Sequence, residues 1–243
     1  AFIHFLLFSS LLFFFLIHSS KLIYVQHDTT ASEVCQIISE QLHLNDDVCS
    51  DLFALYESMD GSVPTRLMYH QDNIIESRDK SAKIMYMINF MTETLIERVP
   101  TNQVISRLVY IQLRHEVITG TLNVNDETCL RLAALTFQEN FGEPNERNHQ
   151  VGFIPPGRMF EYISTRILPK YTLAEWEQLI FQHHTEVYKD FVRRSVEFVP
   201  QREYCKTCRE SSMGMFGSKI WSVKQTTMPS MPESVLLGIR RLF

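Results

Sequence analysis

NDETCLRLAALTFQENFG, residues 125–142, decides the fold class. Its apolar residues recur three and four positions apart, the period of a helix and not of a strand. Leu130, Ala133, Ala134, Phe137 and Phe141 then form the buried face. Asp126 is expected as the cap, and Gly142 stops the helix. Immediately before it, NQVISRLVYIQLRHEVITG (102–120) gives a looser stripe through Val104, Leu108, Ile111 and Val117, ending at Gly120. Downstream, FIPPGRMFEYISTRIL (153–168) restarts a short helix after Pro155 and Pro156. Thr172 and Glu175 in TLAEWEQL have capping-box spacing, opening a helix with Trp176, Leu179, Ile180, Val187 and Phe191 inside. Residues 101–199 therefore read as an all-helical unit of four or more helices.

Farther out on the N-terminal side the period falls to two. KLIYVQ (21–26) is a short strand. Thr30 and Glu33 in TTASEVCQIISEQL repeat the capping-box spacing, and Val34, Ile37, Ile38 and Leu42 make one apolar stripe. Phe53 and Leu55 alternate with smaller or polar residues in DLFALYES, Asp60-Gly61 is a hairpin turn, and KIMYMINF sets Ile84, Tyr86, Ile88 and Phe90 on one side. Strand, helix and several strands over 21–95 make a small ubiquitin-like, or β-grasp, unit. On the C-terminal side, FGSKIWSVKQ and ESVLLGI are strand-like. A β pattern confined to 215–243 cannot close a sandwich, so this third unit reads as incomplete. Residues 200–214 read as a linker or insertion.

The opening AFIHFLLFSSLLFFFLIHSS (1–20) reads as lying outside native domain structure. Its uncharged run is a little short of the ~20 apolar residues of a spanning helix. It lacks the basic start of a secretory signal. Three readings stay open: a gene-model or fragment boundary, a membrane or signal segment, and a buried strand.

At 243 residues, with 45% hydrophobic and 21% charged residues, the composition is that of a globular protein. A net charge of −5 without a Lys/Arg run gives no pull toward nucleic acid. Five cysteines, an odd number set mostly in apolar helical patterns, suit a reducing compartment.

The order of these units resembles the FERM module (four-point-one, ezrin, radixin, moesin). TTASEVCQIISEQLHL is similar to the helix of that family's first lobe and LFALYE to the strand after it. LRHEVITGTLNVNDETCLRLAALTFQENFGEPN resembles the first two helices of the second lobe. FGSKIWSVKQ followed by MPESVLLGI resembles the opening strands of the third. The colinear order of four pieces over 21–243 is what makes the likeness specific. VKQTT and FGEPN look closest to talin-like modules and to myosin tails joining a tail-homology domain to FERM. Three departures stand out: the apolar opening where a first strand belongs, PQREYCKTCRESSMGM where the family has a tight link, and the mostly missing third lobe.

The resemblance implies an α+β, multi-lobe fold: a ubiquitin-like β-grasp lobe, an acyl-CoA-binding-protein-like helical bundle, and the truncated start of a PH/PTB-like β-sandwich. It implies a non-catalytic adaptor without cofactors, cytoplasmic, at the cytoskeleton or cell cortex and peripheral to the membrane. Its partners would be cytoplasmic tails of membrane proteins, phosphoinositides and cytoskeletal proteins such as actin or a motor, with no nucleic acid. The alternatives are the regulatory FERM region of a larger kinase or phosphatase, and an unrelated membrane-anchored helical protein.

The residues offer no reaction centre. Cys205-Lys-Thr-Cys208 has the spacing of half a zinc site, but no second pair follows, and two loop thiols is the simpler reading. His115-Glu116 lacks the second His of a zincin and belongs to the polar edge of a helix. His183 falls on the stripe of Trp176, Ile180 and Val187 as a partly buried core residue. Arg193, Arg194, Arg202 and Lys206 form a locally basic stretch able to contact anionic lipid or a partner. Interspersed Glu197, Glu203 and Glu210 favour a solvated mixed surface.

Overall fold

The computed structural model describes residues 9–15, 19–44, 52–61, 63–89, 103–194, 199–211, 216, 218–224 and 234–240. The chain divides into two compact units, Ala1–Phe90 and Met91–Phe243.

In the first unit, β1 (Ser9–Phe15), β2 (Ser19–Val25), α1 (Ala31–Gln41), β3 (Phe53–Ser58), β4 (Arg66–Leu67) and β5 (Lys83–Ile88) follow in chain order. The sheet order is β2-β1-β5-β3-β4. β1 runs parallel to β5, with Phe13 opposite Ile84, and all other neighbours are antiparallel. The apolar opening, expected outside the domain, thus supplies β1. A strand with neighbours on both edges has no need to alternate in polarity, which is why its run of Leu and Phe carried no strand period. β2, at the sheet edge, does alternate: Ile23 and Val25 are buried while Leu22 and Tyr24 are exposed.

α1 begins with the expected capping box. Thr30 Oγ1 accepts from the Glu33 amide at 3.3 Å, and the Glu33 carboxylate accepts from the Thr30 amide at 2.7 Å. Val34 and Ile38 are wholly buried, and Ser39 Oγ shares a buried 2.9 Å hydrogen bond with Tyr86 OH. Alternation was expected in β3 and β5. Instead β3 is buried throughout and β5 everywhere except Lys83, as befits strands inside the sheet. Phe90 lies outside the described residues. Gly61 makes the turn between β3 and β4 at φ +82°, where an added Cβ would sit 2.7 Å from Lys83 Cδ. Buried Glu57 fixes the hairpin by accepting from Arg66 Nε (2.8 Å), Arg66 Nη2 (2.9 Å) and the Asp79 amide (2.8 Å).

The second unit contains α2 (Gln103–Thr119), α3 (Asp126–Phe141), α4 (Leu173–Arg194), α5 (Pro200–Ser211), β6 (Ser218–Lys224) and β7 (Ser234–Arg240). Short 3-10 turns at Pro156–Glu161 and Leu168–Lys170 precede α4. α3 is central, packing on both α4 and α5, and α5 also packs on α2. The cap of α3 is Asn125, not Asp126: its side chain accepts from the Thr128 amide at 2.8 Å. Asp126, freed from capping, pairs with Arg166 at 3.1 Å and with Lys170. Because two helices cover α3, its burial extends beyond one stripe to Leu132 and Leu135, leaving Leu130 half-buried and Phe141 exposed. The buried side of α2 is likewise turned from the expected one. It runs through Ile105, Val109, Leu113 and Val117, with Val104 exposed and Leu108 and Ile111 half-buried.

The stretch read as a linker over 200–214 contains a helix. Pro200 occupies the first position of α5, where its missing amide costs nothing. Tyr204, Cys205 and Cys208 are buried, and Tyr204 meets Tyr110 of α2 edge-on at 5.1 Å. Arg131 Nη2 donates to Glu203 at 3.0 Å and Gln201 Nε2 to Glu139 at 2.6 Å, tying α5 to α3. β6 and β7 pair antiparallel from Ser218 opposite Arg240 to Lys224 opposite Ser234.

Candidate partner-binding surface

α4 and α5 carry the basic residues singled out in the sequence. Arg202 and Lys206, one turn apart, share the exposed side of α5 opposite buried Tyr204, Cys205 and Cys208. Arg193, near the end of α4, is engaged by Asp190 at 2.6 Å, which cancels much of its charge locally. Arg194 ends the same helix. The structure therefore joins Arg202 and Lys206 on one face, while Arg193 belongs to an ion pair on α4. Glu203, the nearest acid in sequence, pairs with Arg131 of α3 at 3.0 Å.

The Cys205 and Cys208 thiols sit on a helix, not in a loop. Burial pushes the Cys205 thiol up to about 12 and Cys208 well above the ordinary thiol range. Protonated, enclosed thiols are poor nucleophiles and poor ligands. Among the described residues no group of three or more His, Cys, Asp or Glu is placed to hold a metal ion.

The histidine buried on α4 is His184, one position from the expected His183. Its Nε2 lies 2.6 Å from Gln138 Oε1 and 3.1 Å from the Gly142 carbonyl. Phe137 and His149 pack against it, and desolvation brings its pKa down to about 4. His183 instead stands half-buried, 3.7 Å from Glu186. His115 and Glu116 are half-buried on α2.

Sequence reasoning missed an open cleft of about 570 Å³ between the start of α3 and the second half of α4. Glu127, Thr128 and Arg131 line one wall, and His183, Glu186 and Asp190 the other. The only signal in the sequence was the spacing of 183, 186 and 190 along one helix face, which is common on solvated helices.

Residues 96–217 match the family model of the FERM central domain, and residues 9–85 that of an RA-like domain. FERM domain-containing protein C of Dictyostelium discoideum is 25% identical over 171 residues, covering 70% of this chain and 11% of that protein. Myosin-VIIa of Drosophila melanogaster is 25% identical over 230 residues, covering 89% of this chain and 10% of that protein. The chain thus spans about a tenth of the length of these curated relatives. Among solved structures, the MyTH4-FERM MF2 domain of Dictyostelium discoideum myosin VII matches 96% of this chain and 46% of its own, with a TM-score of 0.70 at 16% identity. The human myosin 7b C-terminal MyTH4-FERM domain, solved in complex with the harmonin-a PDZ3 domain, matches 96% of this chain and 48% of its own, with a TM-score of 0.65 at 18% identity. Among the described residues no helix is long and apolar enough to cross a membrane.

Proposed function

The chain belongs to the FERM-domain family, and on that premise we propose that it is a non-catalytic adaptor linking cytoplasmic tails of membrane proteins, or phosphoinositides, to the actin cytoskeleton or a motor protein. In this reading the sheet order β2-β1-β5-β3-β4 with α1 is a ubiquitin-like β-grasp lobe. α2 to α5 are the acyl-CoA-binding-protein-like bundle, and β6 with β7 open a PH/PTB-like sandwich. The protein would act in the cytoplasm, at the cortex. The observation that carries the proposal is the FERM central-domain match over 96–217, which takes in every helix of the second unit. The motor link draws support from the myosin-VIIa likeness and from the partner-bound state of the human myosin 7b module.

Arg202 and Lys206 are the proposed contact with anionic headgroups, joined by Arg193 and Arg194 at the end of α4. At ~1 kcal/mol per well-placed cation, removing two charges should weaken vesicle binding on the order of thirtyfold. Sedimentation with phosphoinositide-containing vesicles, comparing the unmodified chain with Arg202→Gln plus Lys206→Gln, tests this. Equal sedimentation of both would remove α5 from the contact. Failure to bind both vesicles and a panel of receptor-tail peptides would count against the adaptor itself.

A further inference from the structure

Residues 142–153, between α3 and the first 3-10 turn, form a strap over the aromatic cluster, and two histidines hold it there. At its near end, Nε2 of His184 on α4 lies 3.1 Å from the Gly142 carbonyl. In its middle, the His149 ring packs 5.0 Å from Phe137, 5.2 Å from Phe153, 5.9 Å from Phe181 and 5.6 Å from His184, centroid to centroid. His149 Nδ1 accepts from the Asn145 amide at 3.1 Å, and the His149 amide donates to the Asn145 carbonyl at 2.7 Å, so the turn is closed from both sides. At the far end the Glu177 carboxylate takes the Gly152 and Ile154 amides. This turn requires a neutral His149. With Nδ1 accepting, the neutral ring carries its proton on Nε2. A second proton has to enter at Nδ1, where it sets a donor against the Asn145 donor. It also puts a cation in ring contact with His184, the other imidazole of the cage. The surroundings offer no compensation. α3 faces the pair with Phe137 and Gln138, and α4 with Phe181, all uncharged. Tyr162 is engaged by Asn140, Glu143 of the strap meets Tyr188 of α4, and His183 is turned to Glu186. Glu146 and Arg147 are exposed on the strap. No carboxylate acts on either ring among the described residues.

We propose that residues 142–153 are an acid-released strap: protonation of His149, packed against His184, opens the turn at Asn145 and uncovers the aromatic face of Phe137 and Phe181 while the helices stay folded. Glu177 keeps the far end attached, which confines the opening to the part of the strap before Gly152. An exposed imidazole takes its proton near pH 6.5. In the closed form desolvation holds His149 below that value and brings His184 to about 4. The open form therefore binds protons first, and closure, full above pH 6.5, weakens as pH falls. The inference goes beyond the adaptor reading and does not depend on it.

The test is limited proteolysis of the full chain by a glutamyl endopeptidase that works at both acidic and neutral pH. Cleavage after Glu143 and Glu146 is divided by cleavage of a free peptide of the same sequence, which removes the protease's own pH dependence. Where reclosing outpaces cleavage, this ratio follows the open population. From pH 7 to pH 5 it should rise about tenfold or more, with helical circular dichroism unchanged and no comparable rise after Glu127 of α3 or Glu186 of α4. His149→Gln, which cannot titrate yet can still accept from the Asn145 amide, should cut the rise severalfold. Adding His184→Gln should leave the ratio flat to within about twofold. A ratio that does not rise in the unmodified chain would overturn the proposal, as would a rise that His149→Gln leaves intact. An equal rise after Glu127 and Glu186 would show global unfolding in place of a released strap and overturn it too. Should His149→Gln fail to fold, His149→Phe, which keeps a ring in the cage without a titrating group, decides by the same ratio.

Discussion

Phe137 and His184 show how one aromatic cluster sets both the stability and the acid sensitivity of the helical unit. The Phe137 ring is wholly buried and meets Phe141, Phe153, Phe181 and Tyr162 within 6.0 Å, besides His149 and His184. Truncation to alanine should cost ~3–5 kcal/mol. A denaturant melt followed by helical circular dichroism checks it, and a midpoint near that of the unmodified chain would show that the ring is not in the core. His184 works through protons. Both groups near its Nε2 are acceptors, so Nε2 carries the proton, and desolvation keeps the ring as a whole neutral. Its folded pKa of about 4 lies below the ordinary 6.5, so the unfolded chain binds the extra proton first. Stability is therefore full above pH 6.5 and declines as pH falls toward 4, by about 3 kcal/mol in total. Carboxylates held below their usual range, such as Glu57 beside Arg66, add their loss only at lower pH. Unfolding free energies between pH 7.5 and 4.5 should fall in the unmodified chain, and a His184→Gln variant should lose most of that slope. A slope unchanged by the substitution would place the titrating group elsewhere.

At the level of elements, what the sequence disclosed depended on whether a residue's partner was local. The two capping boxes were legible because Thr30 with Glu33, and Thr172 with Glu175, find each other within one turn. The core of α4 was legible to within one residue, since Trp176, Ile180, Val187 and Phe191 repeat at helical spacing, and the slip from His184 to His183 reflects two adjacent histidines fitting one broad stripe. β1 and α5 were not. β1 has no alternation to read, and PQREYCKTCRES owes its burial to partners far away in sequence, Tyr110, Arg131 and Glu139. The cleft was invisible for the same reason: Glu127 and Glu186 lie on different helices and line one cleft only through packing. Glu177 makes a comparable distant tie that can be measured. Buried on α4, its carboxylate accepts from the Gly152 amide at 2.6 Å and the Ile154 amide at 2.5 Å, pinning the segment before the first 3-10 turn. Glu177→Ala leaves both donors without their acceptor and should cost ~2–4 kcal/mol. Hydrogen exchange of the Gly152 and Ile154 amides should rise more than that of the Leu132 to Phe137 amides. Uniform change, or none, would mean that the carboxylate does not hold the segment.

Across the whole molecule, thiols report on both units at once. Cys35 is buried on α1 in the first unit, and Cys129, Cys205 and Cys208 are buried in the helical unit. Desolvation raises the thiol of each, to about 12 for Cys35 and Cys205. At pH 8 only about one such thiol in ten thousand is ionised, and the thiolate is the species that reacts with an alkylating agent. Burial slows the reaction further, so modification must await local or global opening. Iodoacetamide followed by peptide mass analysis should leave these four cysteines unmodified over hours in native buffer and alkylate them within minutes in denaturant. The pattern also discriminates between two pictures of 200–211. A docked α5 keeps Cys205 and Cys208 as protected as Cys129. An exposed connecting stretch would let both react natively while Cys129 stays protected. Titrating denaturant then extends the measurement: Cys35 becomes reactive when its own unit opens, the other three when the helical unit does. Phe137→Ala should lower the denaturant concentration at which Cys129, Cys205 and Cys208 react as a group. Loss of Cys205 and Cys208 protection without Cys129 would show that α5 detaches on its own, and would locate the weakest part of the bundle at the element the sequence disguised as a linker.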